Sequence, residues 1–215
     1  MKKALFIYTF AAFILLISGC VTSPVMINKM EVPDEAYKIE KHALVVFEHN
    51  FLQHKHQEKQ LGTTFEYNLG FYLKDAVNTS LSSVFQNVAQ SESEQMPETF
   101  DVVIKPKLAS FYAPVPALVL MNTKTQVTIE YEVTPFSPMQ PFTLRSTGTY
   151  EVKNEQDQLI YNSLKSSSIY TYDAATNFGM AIPDYSYEAG KDAYMAIYHA
   201  LLDLNSQLIA HFKDA

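Results

Sequence analysis

The 215-residue chain carries 16 lysines and arginines against 23 aspartates and glutamates, a formal charge of −7 at neutral pH. That balance argues against nucleic acid, whose affinity for proteins comes mainly from phosphates neutralised by lysine and arginine, and against electrostatic adhesion to an anionic leaflet. The length suits one domain with a full core, or at most two small ones.

The chain begins Met1-Lys2-Lys3 and continues with an apolar run, Ala4 to Ile17, interrupted only by Thr9. Basic residues, a short apolar core and small residues before a cleavage point are the parts of an export signal. The run closes on Ile17-Ser18-Gly19-Cys20, and Cys20 is the only cysteine. This segment resembles a bacterial lipoprotein signal with those four residues as the lipobox. The resemblance implies cleavage after residue 19, a thioether-linked diacylglycerol on Cys20 and an N-acyl chain on its amino group; no other cofactor is expected. It further implies the outer membrane, because Val21 rather than aspartate follows the cysteine. Two or more acyl chains anchor a protein stably, at about 0.8 kcal/mol per buried methylene. No other run approaches the roughly 18 apolar residues of a membrane span. A lipidated Cys20 also leaves no thiol for a disulfide.

Residues 20–41 contain Pro24, Pro33 and mixed charges without a sustained period, and are expected to form a flexible tether. A single domain then occupies residues 42–215. His42 to Phe51 reads as a strand, its continuous apolar run Leu44 to Phe47 suited to burial on both faces. Gln53 to Gln60 is polar and histidine-rich. Thr63-Thr64-Phe65-Glu66 fits a capping box that opens a helix through about Gln90, with Leu69, Leu73, Val77, Leu81, Val84, Phe85 and Val88 on one face. Gln90 to Pro97 is expected as a solvated turn.

A second strand starts near Phe100 and continues to Tyr112, with Pro106 marking an edge or a bulge. The third has the clearest alternation: Val127, Ile129, Tyr131 and Val133 against Thr128, Glu130 and Glu132. Phe142 to Val152 is the fourth. Leu159, Tyr161 and Ile169 to Tyr172 form a candidate fifth. Asp173 to Tyr187 reads as an aromatic-rich loop. The final helix runs from about Tyr187 to Phe212, with Ser186 or Asp184 as N-cap and a stripe of Ala193, Ile197, Leu201, Leu204, Leu208 and Phe212.

Two amphipathic helices and a sheet with one wet face predict a two-layer α+β sandwich. Its sheet is mostly antiparallel with four or five strands, and both helices lie on one face, in the order βαβββ(β)α. A lipobox followed by this order resembles the YajG-like uncharacterised outer-membrane lipoproteins and, through element order alone, the lipopolysaccharide-assembly lipoprotein LptE. That resemblance implies a domain facing the periplasm and carries no residue role beyond Cys20.

Candidate chemistry is sparse. His49, His54 and His56 lie within eight residues beside Glu48 and Glu58, a potential set of metal ligands, although the same composition describes a polar connection. Glu130 and Glu132 share a strand face, as paired carboxylates or simply as its wet side. The six glycines are scattered, without a phosphate-cradling loop, and no Gly-x-Ser-x-Gly elbow occurs. Pro114 to Met121 is apolar where a short polar hairpin loop is expected, making Leu118, Val119, Leu120 and Met121 a candidate partner contact. The expected function is a non-enzymatic, membrane-anchored binding or assembly accessory of the cell envelope. Membrane lipid would be its first partner, through Cys20, and an envelope protein its second. The alternatives are a metal-dependent hydrolase using the three histidines and a carrier of a hydrophobic ligand.

Overall fold

The computed structural model describes residues 21–60, 63–92, 99–114, 124–136, 139–151, 160 and 186–213. The elements in order are β1 (Val21–Val25), β2 (Ile39–Val46), α1 (His49–Leu52), β3 (His56–Gln60), β4 (Thr63–Tyr67), α2 (Leu69–Val84), β5 (Phe85–Ser91), β6 (Val102–Tyr112), β7 (Thr125–Pro135), β8 (Phe142–Tyr150) and α3 (Ser186–Lys213). The strands form a five-stranded sheet, β5-β2-β6-β7-β8, and a three-stranded sheet, β1-β4-β3. With α2 and α3 packed on the larger sheet, the architecture is an α+β sandwich.

The large sheet follows its apolar pattern. In β2, Ala43 and Val45, and Phe47 just beyond, enter the core shared with the helices, while Leu44 and Val46 pack with Val103 on the opposite face. In β7, Val127, Ile129, Tyr131 and Val133 all enter the helix-side core. The α3 stripe from Ala193 through Ile197, Leu201, Leu204 and Leu208 is fully buried; each large aliphatic side chain contributes about 1.5–3 kcal/mol relative to exposure. Between the helices, Ser80 Oγ donates to Asn205 Oδ1 at 2.8 Å and Asn205 Nδ2 donates to Ser83 Oγ at 3.3 Å, so the polar groups at this dry contact are satisfied. Gly148 lets α3 lie against β8: a Cβ there would stand 1.9 Å from the Ala196 carbonyl oxygen and 2.5 Å from the Ala200 nitrogen.

The sheet is mixed. β2 pairs in parallel with both β5 and β6, and the β6–β7 and β7–β8 pairings are antiparallel. β5 was expected to be the end of the first helix. That helix stops at Val84, where Phe85 turns extended with φ −97° and ψ 151°, because the open edge of β2 offers a row of backbone partners. A three-residue apolar spacing such as Phe85 to Val88 fits either state. The expected turn from Gln90 therefore begins as strand, with Gln90 and Ser91 paired to Val45 and Val46.

The small sheet departs further from expectation. Thr63 to Glu66 does not cap a helix; it belongs to β4, antiparallel to β3 with Gln60 opposite Thr63. Phe65 and Tyr67 are two residues apart and both buried, a period of strand rather than helix. Residues 21–41, expected as tether, contain β1, parallel to β4, and the buried Val25, Met30 and Ile39. Gly190 allows this approach, since a Cβ there would lie 2.1 Å from the Met26 carbonyl oxygen. The first predicted strand ends early because His49–Leu52 coil into α1, which sets the Phe51 ring 5.7 Å from Phe47. The fifth predicted strand and nearly all of the aromatic loop lie outside the described residues, as does Asp184; Ser186 is the first residue of α3.

Candidate functional site

β6 outruns β2. Their last paired position is Val45 with Ile104, yet β6 continues to Tyr112 with β7 on its other side. α1 occupies the space beside the extension and leaves an open cleft of about 220 Å³ lined by Glu48, Asn50, Phe51, His54, Pro106, Lys107 and Leu108. Pro106 stands where β2 no longer pairs, a position that tolerates the missing N–H. The cleft has an apolar base of Phe51, Pro106 and Leu108 and a rim of Glu48, His54 and Lys107.

The rim continues into the wet face of the sheet. Lys107 donates to the Glu132 carboxylate. That hydrogen bond first, and the neighbouring charges of Glu132, Glu48 and Glu130 after it, hold its ammonium above the usual lysine range. Glu130 pairs with Arg145 at 3.2 Å. The two candidate carboxylates are thus each matched to a cation in a ladder across β6, β7 and β8. Exposed pairs of this kind add little stability, but they set a polar, charge-balanced surface beside the cleft.

The three histidines have different surroundings. His49 is exposed on α1. His54 lines the cleft, and its carbonyl accepts from Gly70 N–H at 2.9 Å. That contact and the Cβ-free approach of Gly70, where a methyl would meet the Leu52 carbonyl at 2.3 Å, fix α1 against α2. His56 instead joins an aromatic cluster, its ring 5.0 Å from Phe111 and 5.7 Å from Tyr67. Its Nε2 lies 3.7 Å from Glu58 Oε2, beyond hydrogen-bond length. Burial lowers its pKa below the ordinary 6.5, so the ring is neutral at neutral pH. Among the described residues no three His, Cys, Asp or Glu side chains are grouped to hold a metal ion.

Tyr67 ties the cluster to the end of β6. Its ring is 5.2 Å from Phe111, and its hydroxyl donates to the Ala113 carbonyl at 3.4 Å. Burial, reinforced by the carboxylates of Asp192 and Glu58, raises the phenol pKa well beyond its usual range, which leaves it a donor and not a base. The candidate contact Leu118, Val119, Leu120 and Met121 follows Pro114 in the chain and lies outside the described residues, as does Cys20. Tyr67, Lys107 and Phe111 were missed as members of this region. The alternation of Phe65 and Tyr67 was the available signal for the first.

No protein-family model matches the chain, and no curated protein matches it. Among solved structures it is similar to protein XCC0632 from Xanthomonas campestris, described with the family model DUF330, at 10% identity and a TM-score of 0.46, covering 89% of this chain and 99% of that one. A second structure, described as an uncharacterized protein, is similar at 7% identity and a TM-score of 0.40, covering 88% and 99%. Neither description states an activity, and neither names a YajG-like lipoprotein.

Proposed function

We propose that this protein is a lipid-anchored accessory of the bacterial outer membrane, facing the periplasm and acting by binding an envelope protein. The observation that carries the reading is the passage of Ile17-Ser18-Gly19-Cys20 directly into β1. A lipidated Cys20 would hold a compact acidic domain at the membrane surface. There the charge ladder and the cleft are available to a partner, and the Pro114 to Met121 stretch is proposed as a contact from its apolar sequence. The hydrolase alternative gains no support from the histidines, since His54 lines an open cleft while His56 packs between aromatic rings.

Fractionation with intact mass measurement tests the anchor. Wild-type protein is expected in the outer membrane with an acylated mass, and Cys20→Ser in the soluble fraction. Membrane association of Cys20→Ser equal to wild type overturns the reading. For the partner, Leu118→Glu combined with Leu120→Glu is expected to abolish crosslinking to an envelope protein while the melting temperature barely moves. A large fall in melting temperature would instead place the stretch in the core and remove it as a contact.

A further inference from the structure

The small sheet carries an orientation. Because β1 begins at Val21 and is paired from its first residue, Cys20 is separated from the folded sheet by one peptide, about 3.8 Å between Cα atoms. A flexible tether of 20 residues would instead allow roughly 25 Å of reach. Register then fixes what lies beside the anchor. Val21 is opposite Thr63, and Thr63 is opposite Gln60; the next row is Thr22, Thr64 and Lys59. Val25, Tyr67 and His56 form the last row, four steps or about 13 Å farther along the strands.

Charge follows the same axis. The first two rows hold Lys59 as their one ionic residue, and the carboxylates Glu58 and Glu66 enter only in the third and fourth rows. In the second row Thr22 and Lys59 are exposed, a hydroxyl and an ammonium that suit phosphate-rich headgroups, whereas carboxylates at that end would be repelled by an anionic leaflet.

We infer that the Gln60 and Thr63 end of the three-stranded sheet lies against the lipid headgroups, so that the domain stands on the bilayer with its Tyr67 end directed away. The inference rests on the lipid-anchor reading of Cys20. It also gives that reading a geometry: Ala113, which accepts from Tyr67 and leads into the 114–121 stretch, belongs to the far end, toward a partner in the periplasm.

The lipidated full chain allows a direct test, because the thioether consumes the native sulfur and leaves an introduced cysteine as the sole thiol. Lys59→Cys, Gln57→Cys and Asn68→Cys, all at exposed positions, are labelled with a fluorophore. Each is reconstituted in vesicles of phosphatidylethanolamine and phosphatidylglycerol carrying a headgroup nitroxide. Quenching at position 59 is expected to exceed that at 68 by about twofold or more, with 57 between them, since ~13 Å is larger than the ~6 Å depth of one headgroup layer. Equal quenching at 59 and 68, or stronger quenching at 68, in protein whose mass shows the acyl chains overturns the orientation and leaves the anchor standing. Protein recovered without acyl chains overturns the anchor reading and the orientation with it.

Discussion

In β7 of the large sheet, four alternate side chains are 0–1% exposed against the helices, while β3 of the small sheet reads His56-Gln57-Glu58-Lys59-Gln60 with none of its described side chains fully buried. The large sheet is held by area: two helices cover one face, and a satellite cluster of Leu44, Val46 and Val103 sits on the other. The small sheet is held by fewer side chains, with Val25, Phe65 and Tyr67 in the core, Met26 against Gly190, and the Tyr67 ring against Phe111. Cooperative stability tracks buried apolar contact, so elements with few such contacts open at lower free energy than the global transition.

The largest expected effect comes from Gly148→Val, which strikes the large sheet. Its side chain would collide with the α3 backbone at Ala196 and Ala200, and neither helix nor strand can withdraw without opening the core. A loss on the order of 5 kcal/mol is expected, read as collapse of the urea midpoint and loss of amide protection in both sheets. A midpoint close to wild type would show that α3 does not lie on β8 as described.

Tyr67→Ala strikes the small sheet and should cost less, about 3 kcal/mol for a buried aromatic. Here the distribution matters more than the total. Amide exchange is expected to accelerate in β1, β3 and β4, while β2, β6 and β7 keep their protection. Uniform acceleration across both sheets would mean that the molecule opens as one unit and would break the comparison.

The smallest effect is a pH dependence at the same cluster. His56 has a folded-state pKa lowered by burial, so below about 6.5 the unfolded chain binds a proton that the folded ring resists. Stability is therefore full above that value and falls as pH drops from about 6.5 toward the lowered folded pKa. Urea midpoints at about pH 7.5 and about pH 5.5 should differ in wild type and differ less in His56→Phe. An unchanged difference in the variant would assign the dependence to another group.

Legibility in the sequence followed the same division. β7, β8 and the stripe of α3 were readable because each pairs a steady period with a single buried face. The two-sided burial of β2 was readable from the run Leu44 to Phe47. Pro106 announced the edge that opens the cleft. The histidine-rich stretch could not show that His54 and His56 differ in surroundings, since both lie in a segment whose polar composition hides the β3 strand. The Thr63 to Glu66 capping signal was genuine as a local pattern and was overridden by strand pairing with Gln60 and its neighbours.

By itself, then, the sequence determined the apolar faces that make an α+β sandwich and the motif at Cys20 from which an anchor is proposed, because periodicity and short motifs are local. Tertiary structure alone decided that β1 and β5 are strands, that three polar segments form a second sheet, and that Tyr67, His56 and Phe111 meet. The physical reason is that these segments bury too little apolar surface to show a face of their own. Their backbone groups are satisfied by partners far away in the chain, Val21 by Thr63 and Phe85 by Ile39, and apart from the two-residue alternation of Phe65 and Tyr67 in β4 such pairing leaves no period to read.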